Sequence, residues 1–250
     1  MEDPLRQLRR QWERNAESDP FWTILARRSM RHGRWNPEEF FATGRADVRR
    51  HLSLLEAAGF RPGPGVALDF GCGLGRLTRP LAEIFGSAVG VDVSERMIER
   101  ARELHAGVAG LRFEHNNRPD LQGFPDRSFD FLYSHITFQH MPAALATGYL
   151  REMVRLCRPG GVALVQIATH VPPRLGRFYW PPTAGKWLWR AFNRRVAWAP
   201  VLVMYALPEE EARAAIEGSG GIVIESWRDE SVGDDHRSRL LAFRRRREPA

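Results

Sequence analysis

Val66-Ala67-Leu68-Asp69-Phe70-Gly71-Cys72-Gly73-Leu74-Gly75-Arg76 is the stretch that decides the fold of this chain. Four of its first five residues are apolar, and three glycines follow at alternate positions. A short apolar run that stops at glycines and opens into a helical pattern predicts a strand, a tight turn and a helix. Asp69 is predicted to end the strand, at the sheet edge where open α/β folds bind their ligands. Glycine lets a ligand lie directly against the backbone there.

A second apolar segment, Ala88-Val89-Gly90-Val91-Asp92, ends in an acid 21 residues after Gly71. Glycine turn, helix, second strand and terminal acid predict a βαβ unit in which Asp92 accepts both ribose hydroxyls of an adenosine. A glycine turn alone is weak evidence for such a site. The turn with Asp69 before it and Asp92 after it is much stronger evidence.

These motifs resemble the class I S-adenosylmethionine-dependent methyltransferases. The nicotinamide fingerprint G-x-G-x-x-G places a pyrophosphate at a helix N-terminus, whereas the turn here is G-x-G-x-G and follows an acid. Asp69 would repel a pyrophosphate but suits a cationic aminoacid group or a sulfonium. The resemblance implies an α/β fold with a doubly wound, seven-stranded, mostly parallel sheet and an antiparallel last strand. It also implies S-adenosylmethionine as cofactor and S-adenosylhomocysteine as product.

The resemblance further implies which residues contact the cofactor. Residues just after Asp92 line the adenine in this family, and residues that end the fourth strand face cofactor and acceptor. Asn117 is the first choice for the adenine amino group and Asn116 the second, while Met97 is equally well explained by core packing. The predicted cofactor-binding residues are Asp69, Gly71, Cys72, Gly73, Gly75, Asp92, Val93, Met97, Asn116, Asn117 and Ser134.

Methyl transfer is an in-line displacement, so the protein mainly aligns the acceptor and excludes water. A hydroxyl or ammonium acceptor must also lose a proton, and a general base assists that loss. His135 and His140, which follow the fourth predicted strand, are the candidate catalytic residues. The alternative is that either histidine is structural and bonds the backbone near a helix start. No cluster has the spacing of metal ligands, so no metal is predicted.

The chain is predicted to contain a core and two additions. Residues 1–60 form an N-terminal helical extension or lid over the cofactor mouth. Residues 61–168 and 207–250 form the Rossmann-like core, and residues 169–206 form a helical cap inserted after the fifth strand. This cap is rich in tryptophan and arginine. It is interpreted as a lid over a bulky or anionic acceptor, as a lipid-contacting surface over 174–203, or as helices that only pack.

Local signals predict the remaining elements. Asp19-Pro20 and Asn36-Pro37 start helices, with Asn36 as an N-cap, and Ser94 is predicted to cap the helix after the second strand. The stretch from Phe40 to Arg45 is interpreted as a hinge between helices. A turn is predicted at 158–161. Strands three to seven are predicted at 111–114, 129–134, 162–168, 222–227 and 238–244, the last two forming an antiparallel hairpin.

Composition narrows the class of protein. The net charge is +7, yet Lys186 is the single lysine, and no nucleic-acid-binding motif accompanies the arginines. No apolar stretch approaches the roughly 18 residues of a membrane span, and the N-terminus lacks a secretory pattern. Two cysteines are too few for a disulfide framework. A cytoplasmic monomer or homodimer is expected.

The predicted function is methyl transfer to a small-molecule, peptide or lipid-like acceptor in specialised metabolism, with O- or N-methylation favoured over C-methylation. Two alternatives use the same fold: an RNA methyltransferase, and a non-catalytic protein that binds the cofactor without turnover. A nucleotide-dependent oxidoreductase is disfavoured by Asp69 and by the spacing of the glycines.

Overall fold

The fold is a seven-stranded sheet with helices on both faces, seen in a computed structural model that describes residues 3–61, 63–171, 203–231 and 237–246. The strands are β1 (Gly65–Phe70), β2 (Gly86–Asp92), β3 (Leu111–His115), β4 (Phe129–Ser134), β5 (Cys157–His170), β6 (Gly221–Asp229) and β7 (Arg237–Arg245). Their order is β3-β2-β1-β4-β5-β7-β6. Strand β7 runs antiparallel to β5 and β6, and the other pairs are parallel. The predicted fold class is confirmed.

Three of the described helices precede the first strand, and the other four lie between strands. They are α1 (Pro4–Ser18), α2 (Pro20–Ile24), α3 (Pro37–Ala57), α4 (Thr78–Phe85), α5 (Glu95–Leu104), α6 (Ala143–Leu156) and α7 (Glu209–Gly218). Short 3₁₀ turns occur at Arg28–Met30 and Phe138–His140. None of the helices in the described ranges is long and apolar enough to cross a membrane.

Alternate residues of the central strands face two separate hydrophobic clusters. Leu68 and Leu132 belong to the cluster that includes residues of α6 and α7. Ala67 and Phe131 belong to the cluster that includes residues of α3 and α4. Because helices cover both faces, these strands have near-continuous apolar sequences rather than an alternating pattern.

The predicted helix starts are confirmed, but the predicted hinge is wrong. Asn36 Oδ1 accepts from Glu38 N at 2.8 Å, and Asp19 Oδ1 accepts from Trp22 N at 3.3 Å. Helix α3 then continues without a break through the stretch from Phe40 to Arg45. A Cβ atom at Gly44 would collide with the backbone carbonyl of Arg76. The glycine therefore serves close packing against the turn after β1 and does not bend the helix.

Strand β5 is longer than the sequence indicates. It spans Cys157–His170, so the turn predicted at 158–161 lies within its bounds. The backbone there is irregular: the register against β4 shifts between Phe129 and Phe131, and Gly160 has a φ of 86°. A bulge of this kind accommodates a proline and two glycines within a strand.

Most of the predicted cap lies outside the described residues, which resume at Val203. From there the chain returns along the end of the sheet. Tyr205 N donates to Gln139 O at 2.7 Å, and Leu207 N donates to Ala168 O at 2.8 Å. These bonds fix residues 203–207 beside the 3₁₀ turn Phe138–His140.

Replacing Gly44 with alanine should lower the free energy of unfolding by about 1–3 kcal/mol, the usual cost of overpacking, because the backbone of Arg76 cannot move aside cheaply. Urea denaturation measures the change. The matched control is Gly218→Ala in α7, where the new methyl group meets nothing within 4 Å. A Gly44→Ala protein as stable as the control would contradict the close approach.

Candidate functional site

The glycine turn that follows β1 is held to the end of β2 by hydrogen bonds. Gly71 N and Cys72 N both donate to Val91 O, at 2.8 and 3.0 Å, and Gly73 N donates to Asp92 Oδ2 at 2.9 Å. A Cβ at position 71 would collide with Thr137, and Gly71 has a φ of 77°. The turn requires glycine here for both reasons.

Asp92 joins this turn to the start of helix α5. Its second oxygen, Oδ1, accepts from Ser94 N at 2.9 Å, and Ser94 Oγ accepts from Met97 N as the predicted N-cap. Burial raises the pKa of Asp92, while the two backbone N–H bonds act in the opposite sense. A carboxylate offers about four acceptor positions, so two remain for hydroxyl groups in the crevice beside it.

A narrow crevice opens in front of the turn, at the carboxyl ends of β1 and β2. Its free volume is about 70 Å³, far below the 300–1,000 Å³ typical of ligand pockets. Side chains of the N-terminal helices, Leu8 and Trp12 of α1 and Ile24 of α2, line it from above. A nucleoside therefore requires these side chains to move outward before it can enter.

The predicted cofactor residues divide into two groups. The crevice lining includes Gly71, Cys72, Gly73, Asp92, Val93 and Asn116, together with His135 and His140. The residues Asp69, Gly75, Met97, Asn117 and Ser134 do not belong to this lining.

Each residue outside the lining has a structural position that explains its absence. Asp69 is fully buried, accepts from Thr78 Oγ at 2.6 Å, and has a pKa that burial raises to about 7. Ser134 Oγ donates to Phe70 O at 2.8 Å. Met97 packs in a hydrophobic cluster, as the alternative interpretation predicted. Asn117 is exposed, and Gly75 lies against Phe113.

A larger second cavity of about 510 Å³ adjoins the crevice. The two share Ile24, His135, Ile136 and His140 as a common wall. The second cavity is also lined by the polar side chains of Thr43, Asp47, Arg50, Gln139, Glu230 and Ser231. A molecule in the second cavity would thus meet a molecule in the crevice at the two histidines.

His135 is buried, with one ring nitrogen bonded and the other unpartnered. Its Nε2 lies 3.0 Å from Ser231 Oγ, and its Nδ1 has no hydrogen-bond partner among the described residues. Burial, together with the charges of His51, Arg76 and Arg50, lowers its pKa well below the ordinary value. His135 is therefore a neutral imidazole at physiological pH.

His140 has partners at both nitrogens. Its Nδ1 lies 2.9 Å from the carbonyl of Val203, which can only accept, so Nδ1 carries the proton. Its Nε2 accordingly accepts from Gln139 Nε2 at 3.4 Å. The ring of Trp12 contacts it edge-on, with centroids 5.2 Å apart. This geometry agrees with the structural alternative, whereas His135 retains a free nitrogen.

Sequence reasoning did not identify four polar residues of this site, namely Asp47, Arg76, Asp229 and Ser231. Arg76 is only 2% exposed, lines the crevice, and donates from Nη1 to Asp47 Oδ2 at 2.7 Å. Asp229 accepts from Ser231 Oγ at 2.7 Å. These residues belong to α3, the turn after β1, and the end of β6. Their spacing along the chain gives no signal, and Arg76 was visible only as the residue after the last glycine.

His51 completes a group whose ligand atoms are close enough to hold a metal ion. One ligand atom each from His51, His135 and Asp229 lies within 4.8 Å of the others. However, Arg50 Nη2 is 4.0 Å from Asp229 Oδ1, and His51 Nδ1 is bonded to the hydroxyl of Tyr133 at 2.6 Å. The guanidinium already balances the carboxylate charge, so hydrogen bonding accounts for this arrangement without a cation.

Residues 67–161 match the family of methyltransferase domains. This segment contains the glycine turn, Asp92 and His135. The match covers less than half of the chain and agrees with the resemblance to the class I S-adenosylmethionine-dependent methyltransferases that the motifs predicted.

Individual relatives agree with this assignment. The chain is 36% identical over 140 residues to trans-aconitate 2-methyltransferase of Deinococcus radiodurans, covering 53% of this chain and 49% of that protein. It is 35% identical over 105 residues to 2-methyl-6-phytyl-1,4-hydroquinone methyltransferase of Synechocystis, covering 42% of this chain and 32% of that protein. The chain thus spans half or less of the length of these curated relatives.

The fold also matches a solved structure over nearly its whole length. Magnesium protoporphyrin IX methyltransferase from Synechocystis, crystallised with bound S-adenosylhomocysteine, superposes with a TM-score of 0.63. The match covers 97% of this chain and 100% of the other, at 20% identity. At this identity the likeness establishes the shared fold.

Lowering the pH should destabilise the protein through its buried neutral histidines. Burial lowers the pKa values of His51 and His140 to about 4 from the ordinary 6.5. Below about pH 6.5 the unfolded chain binds protons on these imidazoles that the folded chain binds only near pH 4. The free energy of unfolding should therefore fall by about 2 kcal/mol per histidine between pH 7 and pH 5.

The test compares variants with the parent protein, because Asp69 makes the parent more stable as the pH falls and so offsets the effect of the histidines. Its folded pKa of about 7 keeps the carboxyl protonated where the unfolded chain releases the proton. Urea denaturation of His51→Gln at pH 7 and pH 5 should show a smaller loss of stability than the parent protein. The exposed His32→Gln is the control. Equal losses in the parent and His51→Gln would contradict the buried neutral state of His51.

Proposed function

We propose that this protein is an S-adenosylmethionine-dependent methyltransferase that acts on a small-molecule acceptor. The observation that carries the proposal is the shared wall between the two cavities. The crevice at Asp92 and the glycine turn has the features of an adenosyl site. The larger cavity opens next to it at His135, where a methyl group and its acceptor would meet.

The crevice suits an adenosyl cofactor because of the donors and acceptors that face it. Asp92 would offer its remaining lone pairs to ribose hydroxyls, and Gly71 and Gly73 would leave bare backbone beside the ligand. Val93 and Asn116 line the same crevice and are the candidates to contact the adenine. When bound, S-adenosylmethionine would supply an electrophilic methyl group. The residues of this chain would hold it, exclude water and direct the acceptor. Helices α1 and α2 would act as a lid, since their side chains line the crevice from above.

Arg76 is the candidate for the aminoacid end of the cofactor. Its guanidinium is buried and lines the crevice, and its Nε has no partner among the described residues. A carboxylate placed at this nitrogen would satisfy it, and charge-assisted bonds of this type are among the stronger ones in proteins. Arg76 therefore fits the role better than Asp69, which lies beneath the turn.

The second cavity is the candidate acceptor site. Its volume of about 510 Å³ fits a small molecule or one group of a larger one. The relatives named above are called methyltransferases of a hydroquinone and of trans-aconitate, both small molecules. His135 is the candidate base for an oxygen or nitrogen acceptor because its Nδ1 is unpartnered, whereas both nitrogens of His140 are engaged.

Substituting Asp92 with asparagine should weaken binding of S-adenosylhomocysteine by about 1–3 kcal/mol, roughly 5- to 150-fold in Kd, because an amide replaces an ionised acceptor. Isothermal titration calorimetry measures the affinity. Asp126→Asn, an exposed aspartate far along the chain from the glycine turn, is the control and should bind as the parent does. Unchanged affinity in a folded Asp92→Asn protein would refute the ribose role.

Substituting His135 with alanine should reduce kcat by about 10²-fold or more while the Kd for S-adenosylhomocysteine stays within a few-fold, as expected for loss of a general base. His140→Ala should mainly lower the thermal midpoint, because it removes the bonds to Val203 and Gln139. Steady-state kinetics and thermal denaturation of both variants separate these effects. Full turnover in His135→Ala would remove this residue from the mechanism.

A further inference from the structure

The hydrogen bonds around Ser231 fix which nitrogen of His135 carries its proton. Ser231 Oγ lies 2.7 Å from Asp229 Oδ1, and a carboxylate can only accept, so the single hydroxyl proton points to Asp229. The contact of 3.0 Å between Ser231 Oγ and His135 Nε2 must then use a proton on Nε2. Arg50 Nη2 donates to the same oxygen at 3.3 Å. His135 is therefore the Nε2–H tautomer, with a lone pair on Nδ1.

That lone pair faces a second hydrogen-bond acceptor. His135 Nδ1 is 4.0 Å from Asp47 Oδ2, and no described donor satisfies Nδ1. Asp47 is held by Arg76 Nη1 at 2.7 Å and lines the second cavity together with His135. Two acceptors that face one another in a mostly buried site leave a place for a proton donor between or beside them.

We propose that His135 Nδ1, with Asp47 beside it, removes the proton from a neutral hydroxyl group of the acceptor. This inference rests on the proposed function and names its substrate class: hydroxylated small molecules that undergo O-methylation. Asp229 and Ser231 are positioning residues, since they act through the tautomer and orientation of His135. Asp47 stabilises the imidazolium that forms.

The charges around the site favour a hydroxyl over an ammonium acceptor. Asp47 is paired with Arg76, and Asp229 lies 4.0 Å from Arg50. Both carboxylates are thus balanced by guanidinium groups, and a third acid, Glu230 of the cavity wall, lies 3.7 Å from Arg228 Nε. A cationic acceptor would have to compete with these guanidinium groups. A neutral hydroxyl needs only a lone pair to receive its proton, which His135 supplies.

The proposed step balances in atoms and charge. The acceptor oxygen forms the new bond to the methyl carbon, the electron pair of the broken carbon–sulfur bond stays on sulfur, and the hydroxyl proton moves to His135 Nδ1. One positive charge is lost at the sulfonium and one is gained at the imidazole. The net charge of the site is therefore unchanged, and the proton leaves to solvent after product release.

The titratable groups that face His135 include two carboxylates, which favour an imidazolium, and two arginines, which favour a neutral imidazole. Helix α3 contributes Asp47, Arg50 and His51, the last packed edge-on with ring centroids 4.8 Å apart. The glycine turn contributes Arg76, β4 contributes Tyr133 stacked at 6.2 Å, and the end of β6 contributes Asp229. Burial and the two arginines hold the pKa of His135 low, so its lone pair is available before the acceptor binds.

The first experiment reads the tautomer directly in the full chain with S-adenosylhomocysteine added. Nitrogen-15 NMR of labelled histidine, with the His135 signals assigned by their loss in His135→Gln, should show a protonated Nε2 and an unprotonated Nδ1. Ser231→Ala should lose this preference and give averaged shifts, while the exposed Ser53→Ala should keep it. A protonated Nδ1 in the parent protein would overturn the proposal.

The second experiment measures turnover on hydroxyl probes (catechol, 1,4-hydroquinone and 4-nitrophenol) against amine probes (benzylamine and phenethylamine), scored by release of S-adenosylhomocysteine. We expect methylation of the hydroxyl probes. Asp47→Asn should lower their kcat roughly 10-fold or more, because the imidazolium that forms loses its stabilising charge. The loss should be no larger at pH 6 than at pH 8, because removal of the carboxylate lowers the pKa of His135 and does not raise it. Glu56→Gln, an exposed acid on the same helix, is the matched control. Preferential turnover of amines would overturn the hydroxyl class.

Different results would contradict the proposed function and the assignment of His135 as the base. If the parent protein does not bind S-adenosylhomocysteine, the proposed function fails. If it binds this product but His135 has the other tautomer, or Asp47→Asn keeps full turnover with the pH profile of the parent, the base assignment fails alone. Should none of the probes react, the NMR result still decides the tautomer on which the base assignment depends.

Discussion

The carboxylate of Asp92 ties together the two strands on which the whole site is built. One oxygen accepts from Gly73 N and the other from Ser94 N, so one side chain holds both the glycine turn and the start of α5. Two further bonds from the turn to Val91 O fix the same geometry. Because Arg76 follows the turn and pairs with Asp47, the position of the turn also determines where helix α3 meets the second cavity.

The sequence predicts those parts of the fold that depend on local chemistry. The strands, the N-caps at Asn36 and Ser94, and the glycine turn follow from apolar runs, side chains that accept backbone N–H groups, and residues that tolerate positive φ. The doubly wound, seven-stranded sheet with an antiparallel last strand followed from the family resemblance. The hinge predicted from Phe40 to Arg45 was wrong, because helix α3 continues through this stretch and Gly44 permits close packing against Arg76.

Local sequence patterns predict the polar site far less completely than they predict the fold. The site combines residues from three parts of the chain that meet only when the sheet is complete: Asp47, Arg76, Asp229 and Ser231. Their spacing along the sequence therefore does not predict them. His135 could be singled out because it follows a strand at the predicted ligand edge. The free nitrogen that distinguishes it from His140 depends on Ser231 and Val203, which are distant in sequence. Asp69 was expected to face the ligand but is fully buried, with Thr78 Oγ donating to its Oδ2.

The placement of β7 between β5 and β6 has a consequence for biosynthesis. Strand β6 pairs with β7 and not with β5, so residues 221–229 gain their sheet neighbour only after residues 237–245 have been made. While the ribosome still holds β7, Asp229 and Ser231 lack the sheet neighbour that fixes them opposite His135. A nascent chain that stops before β7 would contain the segments of the βαβ unit but would lack the strand that holds Asp229 and Ser231 beside His135. The synthesis of β7 is therefore a condition for assembling this centre.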